Sequence, residues 1–150
     1  MTTRTLWAMR PGVTGRRYKP SSEAEQKYAA DVALAGRRAE LLDAASEAES
    51  QFREAQARRA PEAELRRLAL DLDSALTAAM LAAFAAQRAE TGPRGYDDRI
   101  YRRKARAKPR VHALIAEAER LLTLRETHRL NDIPAVTFEP GPQVAPVTKA

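Results

Sequence analysis

The residues best suited to acid–base or metal chemistry in this chain are two histidines, His112 and His128. They stand sixteen residues apart in one predicted helix, about 24 Å along its axis at 1.5 Å per residue. Sixteen steps of about 100° leave them roughly 160° apart around the axis, on nearly opposite faces. They cannot share a metal within that helix, and both are expected at the surface or at a helix cap. There is no cysteine, so thiol catalysis, zinc ribbons and disulfides are excluded. Carboxylates recur beside bases at helical spacing, as in Glu62 with Arg66 and Glu54 with Arg58. Such i,i+4 pairs suit solvated helix faces and contribute about 0.2–0.5 kcal/mol each. The run Thr91-Gly92-Pro93-Arg94-Gly95 lacks the glycine count and the Lys-Ser/Thr of a phosphate loop and reads as a turn. No serine has a base and an orienting acid beside it. The expectation is a chain without catalytic residues, metal or cofactor, and without a small-molecule substrate.

Charge carries more information. The formal net charge is +6, and its excess is held in two places. Residues 1–20 contain Arg4, Arg10, Arg16, Arg17 and Lys19 and no acid. Residues 94–110 contain eight basic residues against Asp97 and Asp98. The intervening stretch and the C-terminal end are slightly acidic. A helical body with two basic attachments suits contact with a polyanion or with an acidic protein surface. Within the second segment the candidate contact residues are Arg99, Arg102, Arg103, Lys104, Arg106, Lys108 and Arg110, joined by Arg16 and Arg17 of the first. On a continuous helix Arg99, Arg103 and Arg106 share a face, with Arg102 beside it and Tyr96, Ile100 and Lys104 along another side. Such a helix could lie along phosphates or pair with acidic residues of a neighbour. No helix-turn-helix, ribbon or RNA-recognition pattern accompanies it, so base-specific reading is not expected.

The elements that position these residues follow from periodicity and from Pro and Gly. Residues 1–20 read as an extended basic arm, interrupted by Gly and Pro, with the only tryptophan, Trp7, in a small apolar patch. Ser22 and Glu25 fit a capping box after Pro20. A helix is predicted from there to about residue 60, with a stripe of Tyr28, Val32, Ala35, Ala39, Leu42, Ala45 and Phe52. Gly36 within it marks a bend or a close helix crossing. A second helix, 61–91, begins at Pro61, is lined by Leu65, Leu68, Leu72, Ala75, Ala79, Ala83 and Ala86, and is apolar almost all round. A helix of that kind is covered by neighbours on several sides. Its longest uncharged stretch, Ser74–Gln87, is shorter than the roughly 20 apolar residues of a membrane span. A short basic helix is predicted over 96–107 and, after the break at Pro109, another over 110–130 with Val111, Leu114, Ile115, Ala118, Leu121 and Leu122 inward. Residues 131–150 are a Pro-rich extended tail in which Ala135–Glu139 could add a strand to a partner.

The expected fold is therefore all-α: a long antiparallel helical hairpin plus a C-terminal helix pair, with extended N- and C-terminal arms. Alanine inflates the 44% apolar content and aromatics are only 5%, so the helices are long and the core thin. The functional expectation is a non-enzymatic structural subunit of a multi-protein assembly, concretely a bacteriophage head–tail connector or capsid-associated protein. In it the arms clip onto neighbouring subunits, with Trp7 and Phe138 as anchors. The expected partners are further copies and other protein subunits, in the cytoplasm or in an assembled virion, without a membrane. The alternative is a nucleic-acid-binding protein that sets residues 94–110 and the basic arm against phosphates.

Overall fold

Among the described residues six helices form where four were expected, because two of the four are divided by local chemistry that the period of the sequence does not show. The computed structural model describes residues 17–133, which are all-helical, with no strand among them. Helix α1 is Ser22–Gly36 and α2 is Arg38–Ala57. The single helix expected over 22–60 is thus broken at Arg37, a non-helical residue whose N–H bonds back to Leu34 O at 3.1 Å. A Cβ placed on Gly36 would meet nothing within 4 Å, so no neighbour crosses there. The N-cap is Ser21 rather than Ser22: its Oγ accepts from Ala24 N–H at 3.1 Å. Ser22 is already helical, so the capping box expected there does not form.

Helix α2 ends at Ala57, three residues before the expected stop. Arg59 takes the left-handed conformation (φ 55°). Its N–H bonds to Gln56 O at 3.1 Å, and Ala60 N–H reaches Ala55 O at 2.9 Å. Those two bonds are a Schellman cap, formed here with arginine in the position glycine usually takes. Pro61 caps the following helix with extended backbone (φ −54°, ψ 145°).

Helix α3, Glu62–Glu90, is the centre of the molecule and packs against α1, α2 and α6. Ion pairs between Asp31 and Arg88, and between Arg58 and Glu64, show that α1 and α2 run opposite to α3. Arg58 thus reaches across the turn to Glu64 and not to Glu54. Pairs between Glu90 and Arg110, and between Asp73 and Arg129, show that α6 does the same. The shared core is Phe52, Leu68, Leu72, Leu76, Met80 and Leu121 among alanines, thin as the composition implies. By length and composition α3 could also cross a membrane, but half of its most apolar 18-residue window is buried among the other helices. The inward series on α1 and α2 is Ala24, Tyr28, Asp31, Ala35, Arg38, Leu42, Ala45 and Phe52. Val32 and Ala39, expected on that stripe, are exposed.

Gly92 (φ 75°) terminates α3 and leads into α4, Arg94–Asp97. Asp98 is extended and starts α5, Arg99–Ala105. The one basic helix expected over 96–107 is therefore two, and Tyr96 does not share a helix with Ile100. Helix α6, Pro109–Asp132, takes Pro109 at its first turn, where a missing N–H costs nothing. It runs through Asn131 and Asp132, which were expected to end it.

Candidate polyanion interface

Helix α5 packs mainly on α4 and stands off the bundle. What holds the two in place is a set of carboxylates that net charge hides. Asp97 accepts three hydrogen bonds: Tyr18 OH at 2.6 Å, Ser21 N–H at 2.7 Å and Ser21 Oγ–H at 2.7 Å. The Ser21 backbone bond, followed by the two hydroxyls, holds its carboxyl below the usual aspartate range. In return, the bond to Asp97 pushes the Tyr18 phenol up to about 12. Asp98 accepts from Tyr101 N–H at 2.9 Å, which caps α5 and lowers its own carboxyl, and pairs with Arg94 at 3.1 Å.

A second anchor lies at Asp31. Arg88 grips it through Nε and Nη2, both at 2.7 Å, and Tyr96 OH donates to it at 2.5 Å. Burial alone would raise this carboxyl; the bonds from Arg88 and Tyr96 and the charge of Arg88 bring it below the ordinary value. Burial and the bond to Asp31 raise the Tyr96 phenol. Tyr28 meets Tyr96 edge-on with ring centroids 6.3 Å apart. The Arg94 guanidinium sits 5.1 Å from the Tyr18 ring centre and 4.6 Å from that of Tyr101, a stacking geometry favourable to a cation. Gly95 is buried against Thr91, whose hydroxyl donates to Arg88 O at 2.7 Å.

With the Asp97 carboxylate engaged by Tyr18 and Ser21, and that of Asp98 by Tyr101 and Arg94, the remaining charged groups of this segment are all basic. Arg99, Arg102, Arg103, Lys104, Arg106 and Lys108 are all exposed, and none makes an ion pair among the described residues, where the pairs in this region are Arg94–Asp98 and Arg110–Glu90. The closest exception is Arg102 Nη1, 3.4 Å from Gly95 O, while Lys108 Nζ lies 6.0 Å from the Tyr101 ring centre. Arg99, Arg102, Arg103, Lys104 and Arg106 surround an open concavity of about 910 Å³ with Ile100, itself 70% exposed. Arg110 is exposed but tied to Glu90 at 3.0 Å. Arg17 is exposed. Trp7, Arg16 and Phe138 lie outside the described residues.

His128 corrects the expectation of a surface residue. It is buried, its ring edge-on to Phe52 at 5.4 Å. Its Nε2 is 2.7 Å from Ala69 O and its Nδ1 2.9 Å from Asp132. Both ring nitrogens are thus engaged by protein groups. A pocket of about 320 Å³ beside it is lined by Glu49, Arg53, Leu72, Thr127 and Asp132, but neither nitrogen is left to serve a ligand there. Among the described residues no group of three His, Asp or Glu could hold a metal ion. His112 is exposed.

The anchoring carboxylates Asp31, Asp97 and Asp98 and the buried His128 were the residues that sequence reasoning missed. A signal for His128 existed: it falls seven residues after Leu121, on the apolar stripe. No protein family, curated protein or solved structure matches the chain.

Proposed function

We propose that this chain is a non-enzymatic structural subunit that packs against further copies of itself through the outer face of α3. The observation that carries the reading is the state of Leu70 and Leu81. Each is 49% exposed on the helix that forms the centre of the core, so about half of each side chain is left uncovered by the described residues. Between them on the same face stand Ser74 and Thr77, at steps of four, three and four. The spacing of four, three and four reads the same in both directions, with a leucine at each end and a small hydroxyl residue at each inner position. In a two-fold antiparallel pair Leu70 would meet Leu81 of the other copy, and Ser74 would meet Thr77. That is the self-complementarity an isologous contact requires, and small residues at its centre allow close approach.

Burying the exposed half of each leucine contributes about 1 kcal/mol, so about 4 kcal/mol for the four leucines of such a pair. Association costs roughly 4–15 kcal/mol. The α3 contact therefore needs further surfaces, as in a larger assembly where the N-terminal arm, through Trp7, and the Pro-rich tail, through Phe138, clip onto neighbours. A bacteriophage head–tail connector or capsid-associated protein is the concrete form of this proposal. It rests on size and on the arm–body–arm organisation, an analogy of architecture. The test is light-scattering mass of the full chain and of Leu70→Asp/Leu81→Asp, with circular dichroism as the folding control. The expected result is a defined oligomer that the double variant converts to monomer with its helicity intact. A wild-type chain that stays monomeric at high micromolar concentration overturns the proposal.

A further inference from the structure

We propose that α5 and the turn into α6 form a sequence-independent binding surface for the phosphodiester backbone of nucleic acid. This goes beyond the subunit reading and does not rest on it. The first support is uncompensated charge: Arg99, Arg102, Arg103, Lys104, Arg106 and Lys108 have no acidic partner among the described residues. Five of them fall between residues 99 and 106, about 10 Å of helix rise. That is one positive charge per roughly 2 Å, close to the one negative charge per roughly 1.7 Å of duplex DNA axis. The second support is placement. Asp97 holds α4 to Tyr18 and Ser21, and Tyr96 holds it to Asp31 and Arg88. Asp98 starts α5 with its side chain on Tyr101 N–H. The cations are thus presented by fixed backbone, which lowers the ordering cost of binding.

The third support decides between partners. Protein interfaces have apolar centres depleted of charge. Here the cations interrupt one exposed apolar side chain, Ile100, and no acid occurs from residue 99 to residue 110. Nothing in the patch would fix register against a structured protein surface. A uniformly charged backbone asks for no register. Four of the six cations are arginine, whose planar fork takes two phosphate oxygens at once. Helix α5 holds no asparagine or glutamine and its cations are spread around it with no helix-turn-helix to set them in a groove, so the proposed contact is to the backbone and carries no sequence preference.

Fluorescence anisotropy with a labelled 25-mer duplex of arbitrary sequence tests the proposal, read from 50 to 200 mM salt on the full chain. Engaging about four phosphates predicts a slope of log K against log salt near −3.6. Arg99→Glu/Arg103→Glu removes two exposed cations that share a face and should weaken binding about 50-fold or more at 0.1 M salt. Arg66→Glu/Arg67→Glu on α3 changes the charge equally and should change affinity by much less. Both variants should melt within about 2 °C of wild type, since all four residues are exposed and the one pair disturbed, Arg67–Asp71, is a surface i,i+4 pair. Equal binding to two unrelated duplexes supports the absence of sequence reading. Three results overturn the proposal: no binding at 50 mM salt, equal loss from the two charge reversals, or tighter binding to polyglutamate than to the duplex.

Discussion

Arg59→Gly should stabilise the protein, although it deletes a side chain and adds backbone freedom. Arg59 is the one non-glycine residue with positive φ among the described residues (φ 55°). A left-handed conformation costs an L-residue roughly 1–2 kcal/mol, and glycine does not bear that cost. Against it stands the larger entropy glycine loses on folding, about 0.5–1 kcal/mol. The Arg59 side chain is exposed and makes neither a hydrogen bond nor an ion pair to a described residue, so little else is lost. The net gain is about 0.5–1 kcal/mol. For a chain of 150 residues the unfolding entropy is about 0.3 kcal/mol/K, so the melting temperature should rise by about 2–3 °C. Arg59→Ala is the control: it removes the same side chain but keeps the Cβ, and should give no rise. Thermal unfolding followed at 222 nm, with urea titration for the free energy, measures both. If glycine and alanine shift stability equally, or glycine lowers it, the Schellman cap is not strained and the reasoning fails.

Other outcomes follow from the packing. His128→Ala should cost about 2–4 kcal/mol, because it opens space against Phe52 and strips Asp132 of its partner, whereas His112→Ala on the surface should change urea stability by less than about 0.5 kcal/mol. Gly95→Ala should cost about 1–3 kcal/mol, since its Cβ would fall within 3.0 Å of Thr91 Cβ and closer still to the Thr91 hydroxyl. Gly36→Ala, whose Cβ meets nothing, should instead gain about 0.5–1 kcal/mol in the same melts. Acid should loosen the fold below the ordinary aspartate range. Asp31, Asp73, Asp97 and Asp98 all titrate lower when folded. Their contribution is complete above the unfolded value of about 3.9 and is lost as pH falls through the lower folded values. Melting temperature should be level above about pH 5 and fall below pH 4; a level course down to pH 2.5 would refute this linkage.

The all-helical fold was legible because its signals are long-range in sequence. Periodic leucine and alanine, with breaks at Pro61, Gly92-Pro93 and Pro109, mark the main segments. The stripe expected from Val111 to Leu122 follows the inward face of α6 as far as Leu121, while Leu122 is exposed. The losses have local causes. Apolar counting passed over Asp31, which occupies an inward position only because Arg88 and Tyr96 meet it there. Net charge placed Asp97 and Asp98 among the cations without showing that both are engaged by hydrogen bonds from Tyr18, Ser21 and Tyr101. The end of α2 has no glycine to announce it, since Arg59 fills that position. The basic segment was visible as composition, but its division rests on the Asp98 side chain capping Tyr101 N–H, and the placing of α4 on bonds from Asp97 to residues nearly eighty positions away in sequence.

The anchoring of Tyr18 has a consequence for its neighbours in the chain. Arg94 lies between the rings of Tyr18 and Tyr101, and Asp97 holds the Tyr18 hydroxyl, so the N-terminal segment joins the body beside α5. Two basic stretches far apart in sequence share one point of origin. A polyanion held by α5 would meet the exposed Arg17 and Lys19 on either side of Tyr18 as further cations. Tyr18→Phe would release that anchor from Asp97 without removing a single positive charge.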